Sequence, residues 1–332
     1  MINLSESKLV AVGIVIIGRN EGQRLINCLD SLRSYMPQVV YVDSASTDDS
    51  ITNASNEGAH VLALDMVKPF TAARARNAGF ARLLALYPHI EWVQFIDGDC
   101  VMAENWVNKA LSFLQSKPQV AVACGSRKEL FPNKSIYNKL CDLEWNTPIG
   151  EAKACGGDAL MRVHVFSLVG GFRANLIAGE EPELCVRIRQ AGYKIWRLDA
   201  EMTYHDAAIL RFSQWWKRTM RGGYAFAEGA KLHGAAPELH WVAETQRVWL
   251  WGGIIPLIVV IVFLFKPVWG LLILVVYPLQ ILKLMLKSQH PFKLALAQAF
   301  FLVIGKFAEL LGQFKFLMQR YRNKQGQLIE YK

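Results

Sequence analysis

The chain has 332 residues, 52% of them hydrophobic and 20% charged, and its formal net charge is +9. This composition excludes a disordered chain, a collagen-like repeat and a small disulfide-bonded scaffold. The length fits one large domain with an appended segment. The basic excess leaves nucleic acid or an anionic membrane surface as explanations.

Residues 1–125 alternate apolar runs typical of buried strands with segments of helical spacing. Strands are predicted at 10–18, 39–42, 60–64, 92–96 and 120–124, and helices at 21–35, from 46 onward, at 74–87 and at 105–115. The alternation predicts an α/β fold with a mostly parallel, Rossmann-like sheet and helices on both faces. Ligands of such sheets bind beyond the carboxyl ends of the strands, where the polar clusters of this chain lie.

The start of the chain and its cysteines indicate the compartment. The apolar stretch 9–17 is short, lacks a small-residue cleavage site and runs directly into polar residues, which predicts a buried strand and not a signal peptide. Six cysteines are scattered over the first 190 residues without a C-x-x-C pair or zinc-site spacing. We therefore expect the N-terminal domain to lie in the reducing cytosol.

The sequence Asp97-Gly98-Asp99 directly follows the strand predicted at 92–96. A turn there can aim two carboxylates at one point, and the glycine lets the backbone approach a ligand closely. Hard divalent cations such as Mg²⁺ or Mn²⁺ prefer these oxygen ligands and bridge them to phosphate oxygens. The D-x-D pattern is also common in solvated turns, so its meaning depends on the surrounding motifs.

Residues 126–247 are less regular and richer in glycine, tryptophan and charge, with a helix predicted at 183–191 and a strand at 193–198. The aromatic and basic sequence 212–218 resembles a nucleic-acid patch in composition. An amphipathic helix on a membrane surface fits it better, because apolar segments follow. We therefore expect membrane lipids and no nucleic acid as partners.

The C-terminal part contains apolar runs near the length of a membrane span. Spans are predicted at 248–265 and 268–286, paired as a hairpin around Lys266-Pro267. A soluble helical core is the alternative, but two such runs would need a very large partner surface. A third stretch, 294–312, contains Lys306 and Glu309, and charges inside a span are costly.

The positions of basic residues favour one number of membrane crossings over another. One group follows the second span and another follows the third stretch, and both groups favour the cytosol. Their members are Lys283, Lys287, Lys293, Lys315, Arg320, Arg322 and Lys324. An even number of crossings satisfies both groups, which favours two spans plus an interfacial helix and leaves a third span as the alternative.

Several motifs share one order along the chain. They are Ile17-Gly18-Arg19-Asn20-Glu21, Val42-Asp43-Ser44-Ala45-Ser46-Thr47-Asp48, Arg74-Ala75-Arg76-Asn77-Ala78-Gly79, Phe95-Ile96-Asp97-Gly98-Asp99, Gly170-Gly171-Phe172 and Gly179-Glu180-Glu181. In this order, over residues 10–210, the chain resembles the inverting family 2 glycosyltransferases with the GT-A fold. Its middle and its membrane tail are most similar to bacterial exopolysaccharide glycosyltransferases of the succinoglycan type.

The resemblance implies roles for the matching positions. It places Asn20, Glu21, Asp43, Arg76, Asn77, Asp97 and Gly98 at the nucleotide sugar. It places Asp97, Asp99 and His205 at a Mg²⁺ or Mn²⁺ ion, and Asp158, Gly171 and Phe172 near the acceptor or the transferred sugar. Glu181 stands where the family has an aspartate that acts as general base, so Glu181 is the first choice and Glu180 the second.

The implied organisation is a cytosolic GT-A domain over 1–212, an amphipathic linker over 213–247 and a membrane domain over 248–332. The implied activity is metal-dependent, inverting transfer of a sugar, with UDP the first choice of nucleotide, to a hydroxyl of a lipid-linked or glycan acceptor. The expected location is the cytoplasmic face of the inner membrane. Processive members carry Q-x-x-R-W, which Gln214-Trp215-Trp216-Lys217-Arg218 does not match, and this favours addition of a single sugar.

Three other functions remain open from the sequence. A polyprenyl-phosphate sugar synthase has the same fold but an ionised phosphate as acceptor, and so has less need of a general base. A catalytically inactive nucleotide-sugar-binding membrane protein is the second, favoured only by glutamate in place of aspartate at position 181. A transporter is the third and would need more spans. The oligomeric state is left open.

Overall fold

The computed structural model describes residues 11–322, 326 and 329–330. Val10, at the start of the first predicted strand, and Lys324, in the basic tail, lie outside the described residues. The chain divides into two compact units. The first contains Cys141–Ala208 and the described residues up to Lys134, and the second contains Ser135–Leu140 and the described residues from Ile209 onward.

The first unit is built on a nine-stranded sheet. Its strands are β1 (Val12–Gly18), β2 (Val39–Asp43), β3 (His60–Ala63), β4 (Trp92–Asp97), β5 (Cys100–Met102), β6 (Val120–Glu129), β7 (Gly150–Ala152), β8 (Ala159–Arg162) and β9 (Lys194–His205). Their spatial order is β3-β2-β1-β4-β8-β6-β9-β5, and β7 also pairs with β9. The GT-A-like α/β fold predicted from the sequence is thereby confirmed.

The two halves of the sheet differ in strand direction. β3, β2, β1 and β4 are all parallel, as the strand–helix alternation predicts. β8 enters antiparallel to both β4 and β6, while β6 and β9 are parallel to each other. Parallel neighbours need long crossovers, usually helices, and the chain after residue 126 lacks that regular alternation. The sheet is therefore mixed.

Seven helices are described up to Gln190. They are α1 (Gln23–Asp30), α2 (Ser50–Asn56), α3 (Ala72–Leu86), α4 (Trp106–Ser116), α5 (Ile136–Trp145), α6 (Val163–Leu168) and α7 (Glu180–Gln190), and a 3₁₀ turn covers Arg33–Tyr35. Their apolar side chains and the central strands form the core, in which Ile14, Phe95 and Trp106 are fully buried or nearly so. Glycines allow the closest packing, since a Cβ at Gly79 would overlap Val15.

The strand register brings the polar ends of the strands together. Gly18 at the end of β1 pairs with Asp43 of β2, and Ile17 pairs with Asp97 of β4. On the other side of the unit, β5 and β9 pair so that Cys100 faces His205. The carboxyl ends of β1, β2, β4 and β9 thus present their polar residues around one region.

The second unit is helical. Its helices are α8 (Phe212–His233), α9 (Val242–Val248), a π-helical turn (Trp249–Ile254), α10 (Ile255–Phe265), α11 (Pro267–Leu274), α12 (Val276–Lys287) and α13 (Phe292–Tyr321). Within the part of the chain that the structure describes, three helical segments are long and apolar enough to cross a membrane: Val242–Phe265, Pro267–Lys287 and Phe292–Tyr321. The first two coincide with the two predicted spans, and the third extends the stretch 294–312, for which the sequence leaves a span or an interfacial helix open.

Glycines let α8 and α13 pack closely. A Cβ at Gly223 would overlap the backbone of Glu309, and a Cβ at Gly312 would overlap the backbone of Met220. Small residues at such crossings allow two helix backbones to approach. The charges that interrupt the apolar stretch are paired, with Lys306 Nζ 2.6 Å from Glu309 Oε2.

Candidate active site

Asp99, in the turn between β4 and β5, lies close to His205 at the end of β9. Because β5 pairs with β9, His205 Nε2 lies 3.2 Å from Asp99 Oδ1. Both residues are only 8% exposed. The ring of Trp145 packs edge-on against His205, with centroids 4.8 Å apart.

These residues suit a divalent cation. The buried Nδ1 of His205 has no hydrogen-bond partner among the described residues, although buried polar atoms normally have one. One ligand atom each from Asp99, Cys100 and His205 lies within 4.8 Å of the others. Carboxylate oxygens suit Mn²⁺ and Mg²⁺, and histidine is a common metal ligand, so Asp99 and His205 fit the expected metal.

Asp97 lies between two arginines. Its Oδ1 accepts a hydrogen bond from Arg76 Nη2 at 2.7 Å, and its Oδ2 lies 3.6 Å from Arg127 Nη2. Burial raises the pKa of the Asp97 carboxyl, but the two guanidiniums outweigh burial and hold that pKa below its usual range. A carboxylate and two cations thus meet where the backbone of β4 ends.

Arg127 is a residue that the sequence reasoning missed. Strand β6 was predicted to end at Cys124 but continues to Glu129, and Arg127 points from this extension towards Asp158. Nη2 of Arg127 is 2.6 Å from Asp158 Oδ2. The sequence offers no signal for this extension, because residues 125–129 contain no apolar side chain and match no strand pattern.

Asp158 was expected near the acceptor or the sugar. The structure instead buries its side chain completely, where Thr203 Oγ1 donates to Oδ2 at 2.7 Å. The backbone N–H of Asp97 donates to the other carboxylate oxygen at 3.2 Å. In this position Asp158 orients Arg127 and the end of β4, and it does not present an oxygen to solvent.

Glu180 and Glu181 open helix α7 but point to different neighbours. Oε1 of Glu180 accepts a hydrogen bond from Arg76 Nη1 at 2.7 Å, so Arg76 bridges Glu180 and Asp97. Oε1 of Glu181 accepts from the Cys155 amide at 2.6 Å and lies 3.0 Å from Cys155 Sγ and 2.9 Å from Cys185 Sγ. Burial raises the pKa of the Glu181 carboxyl, although these hydrogen bonds oppose the rise.

The residues expected near the nucleoside organise two adjoining loops. Asn20, at φ 56°, accepts a hydrogen bond on Oδ1 from the Thr47 amide at 2.7 Å. Asp43 is 1% exposed and accepts from the Ser46 amide at 2.9 Å. Glu21 pairs with an arginine one helical turn away, Arg24, at 2.7 Å.

Gly98 packs against the end of β1. Its amide donates to the Ile17 carbonyl at 2.8 Å, and a Cβ there would lie 3.2 Å from that carbonyl oxygen. A larger residue would therefore push the two strand ends apart. The position accounts for glycine between Asp97 and Asp99.

Asn77 and the Gly171-Phe172 turn hold each other. Nδ2 of Asn77 donates to the Phe172 carbonyl at 2.7 Å, and Oδ1 accepts from the Phe172 amide at 2.9 Å. Gly171 has φ +67°, and a Cβ there would lie 2.8 Å from Asn77 Oδ1. The Phe172 ring is 3% exposed and lies 5.6 Å from the Arg76 guanidinium. The turn therefore places the Phe172 ring against the Arg76 guanidinium.

A separate pocket of about 820 Å³ lies beside β9. Lys128 and Tyr204, which line it, alternate along their strands with Arg127 and His205. Neighbouring side chains of a strand point to opposite faces of the sheet. The pocket is therefore on the opposite face from Arg127 and His205.

The sequence is similar to those of known proteins. Residues 13–169 match the family described as glycosyl transferase family 2. The chain is 25% identical over 220 residues to the O-antigen chain rhamnosyltransferase RfbN of Salmonella typhimurium, covering 61% of this chain and 66% of that protein. It is 29% identical over 214 residues to the succinoglycan biosynthesis protein ExoA of Rhizobium meliloti, covering 59% and 64%. The aligned segments thus span just under two thirds of these relatives.

The fold is shared with a solved structure. This is the mannosyltransferase PcManGT from Pyrobaculum calidifontis, in complex with GDP-Man and Mn²⁺. The two chains superpose with a TM-score of 0.58 at 17% identity, and the match covers 93% of this chain and 88% of the other.

Proposed function

We propose that this chain, which contains a glycosyl transferase family 2 domain over residues 13–169, is a metal-dependent inverting glycosyltransferase of polysaccharide synthesis. The substrates would be a nucleoside diphosphate sugar, with UDP first, and a hydroxyl of a glycan or lipid-linked acceptor. One observation carries the proposal: the ends of β4 and β9 bring Asp97, Asp99 and His205 together beside the buried cations Arg76 and Arg127.

These residues suit the donor. Asp99 and His205, with Asp97, would hold Mg²⁺ or Mn²⁺, which when bound supplies positive charge against a diphosphate. Arg76 and Arg127 are more than 95% and more than 80% buried as side chains, so their charges are weakly screened. Their place beside Asp97 lets them stabilise the negative charge that develops on the leaving diphosphate.

Glu181 remains the proposed general base, and Glu180 the second choice. Three donors hold Oε1 of Glu181, which fixes the plane of the carboxylate for its other oxygen. That carboxylate would take the proton of the acceptor hydroxyl while the hydroxyl oxygen attacks the anomeric carbon and the diphosphate departs from the opposite side. Glu180, in contrast, is bound to Arg76.

The apolar helices suit an anchor. We propose that they hold the enzyme in the inner membrane with the glycosyltransferase domain in the cytoplasm, where a lipid-linked acceptor presents its sugar. Holding both partners at one surface raises their effective concentration.

The first test is calorimetric titration of the full chain in detergent with UDP and GDP, each with and without Mn²⁺. We expect one nucleotide to bind in a Mn²⁺-dependent way and Asp99→Asn to abolish that dependence. Asp199→Asn, at an exposed position of β9, is the matched control and should bind like the unmutated protein. Absence of binding of either nucleotide under all conditions would contradict the proposal.

A further inference from the structure

Two thiols and a carboxylate meet on the buried side of helix α7. Cys185 Sγ and Cys155 Sγ lie 3.7 Å apart, and each is within 3.0 Å of Oε1 of Glu181. The three ligand atoms therefore form a compact triangle, all within 4.8 Å of one another. The nucleotide-binding scheme above uses neither thiol.

The triangle has dimensions close to one face of a tetrahedral metal site. Two zinc–sulfur bonds of about 2.3 Å at the tetrahedral angle separate the sulfurs by ~3.8 Å. The observed Sγ–Sγ distance of 3.7 Å matches this value. A carboxylate oxygen bound to the same ion would lie ~3.5 Å from each sulfur, so Oε1 of Glu181 needs to move by only about half an ångström.

The protein arranges these ligands through two elements. Cys185 and Glu181 are four residues apart on α7, on the same face of the helix. Cys155 comes from the loop before β8, whose amide also bonds Glu181. All three side chains are buried, with Cys155 the most accessible at 9% exposure. Cys155 therefore marks the side from which an ion would enter.

The donor set separates this cluster from the Asp99–His205 site. Thiolates are soft ligands that select zinc-like ions, whereas carboxylate oxygens suit Mg²⁺ and Mn²⁺. From this geometry we propose that Cys155, Glu181 and Cys185 form a second metal site, specific for a thiophilic divalent cation such as Zn²⁺.

Binding at this site is coupled to proton release. An ordinary cysteine thiol has a pKa of about 8.5, so both thiols carry protons at neutral pH in the absence of a metal ion. Each thiol loses its proton as its sulfur bonds the ion. The balance is two protons released for each cation bound.

The consequence for activity rests on the proposed function. An ion on Glu181 would occupy the proposed base, so Zn²⁺ would inhibit sugar transfer without displacing the nucleotide. The metal site itself is tested without any activity measurement, so its failure and the failure of the proposed function are distinguishable.

The test is titration of the full chain in detergent with Cd²⁺, followed by the ultraviolet charge-transfer absorption of cadmium–thiolate bonds. We expect one Cd²⁺ to bind through two thiolates and Zn²⁺ to displace it. Loss of a supporting group beyond the ligands already weakens metal sites about 10- to 100-fold, so Cys155→Ser or Cys185→Ser should weaken binding by at least about 100-fold. Cys141→Ser and Asp99→Asn are the controls and should keep the absorption.

A second measurement covers variants that fail to fold. X-ray absorption spectra of the Zn²⁺-loaded, unmutated protein should show two sulfur ligands at about 2.3 Å. Absence of a thiolate band, a band that survives Cys185→Ser, or zinc with only oxygen and nitrogen ligands would each overturn the proposal.

Discussion

Arg76 is the residue on which most of the candidate site depends. Its guanidinium bonds Asp97 and Glu180 at 2.7 Å each and is 4% exposed as a side chain. Burial lowers the pKa of an arginine, but the two carboxylates outweigh it and raise the pKa of Arg76 above its usual value. Helix α3 therefore carries a permanent positive charge into the site.

Removing this charge should unfold the protein more easily. Arg76→Met leaves two carboxylates without their shared partner, and such a loss typically costs about 3–5 kcal/mol. Chemical denaturation in detergent measures it. Arg82→Met, at an exposed position of the same helix, should change stability little; equal losses in both variants would show that the bridge does not contribute.

Kinetic measurements on variants can show which of Glu180 and Glu181 is the general base. Loss of a general base typically costs about 100- to 10,000-fold in rate, so Glu181→Gln should lower kcat by that factor. Glu180→Gln should instead weaken donor binding, since it unpairs Arg76. The reverse result would make Glu180 the base, and full activity of both variants would favour an already ionised acceptor such as a lipid phosphate.

The pH dependence follows from the burial of Glu181. A raised pKa means that the proposed base takes up a proton at a higher pH than an exposed glutamate, whose pKa is about 4.3. The rate should therefore fall, as pH decreases, at a pH clearly above that value. A profile that stays flat down to pH values near 4.3 would contradict this environment for the base.

At the scale of elements, the apolar strands could be predicted and the polar extensions could not. β1 and β2 are apolar almost throughout and β4 is interrupted only by Gln94 before its end, so their positions follow from the sequence. β6 extends through Ser126–Glu129, whose residues match no strand pattern and whose pairing with β9 is irregular. The strand forms because β9 lies beside it, a long-range contact that no local pattern contains.

The same limit applies to the site. Asp97, Asp99 and His205 were predicted through a family resemblance, and the structure brings them near one another. Which side chain contacts Glu181 depends on how α7 meets the loop before β8. The thiols of Cys155 and Cys185 are 30 residues apart, so their contact was beyond prediction.

The close packing of α8 and α13 predicts that two adjacent glycines of α8 differ in how well they tolerate alanine. Gly223→Ala puts a methyl group against the backbone of Glu309 and should lower stability by about 1–3 kcal/mol. Gly222→Ala meets open space and should be neutral or stabilising by up to about 1 kcal/mol. Thermal loss of helical circular dichroism compares them; equal melting temperatures would contradict the close α8–α13 packing.

At the scale of the whole molecule, the positions of the basic residues predict two crossings. Lys266 lies at the tip of the hairpin and Arg322 after α13. We expect an impermeant thiol reagent on intact cells to label Lys266→Cys and to leave Arg322→Cys unlabelled, with labelling of both after the membrane is opened. Labelling of Arg322→Cys from outside would mean that α13 is a third span, which its paired Lys306 and Glu309 would make less costly.

The domain boundaries predicted from the sequence are contiguous, whereas the units are not. Residues 135–140, at the start of α5, belong to the second unit. The Tyr137 ring lies 6.3 Å from that of Trp215 and 5.5 Å from that of Phe301. The Ile209 amide donates to the fully buried Asn138 Oδ1 at 3.0 Å.

This discontinuity matters for the design of a water-soluble, shortened form of the protein for crystallisation or inhibitor screening. A chain shortened at residue 212 would keep Tyr137 but lose the aromatic rings that cover it. The newly exposed apolar surface would favour aggregation during purification. A polar replacement at Tyr137 is therefore a sensible companion to any such shortening.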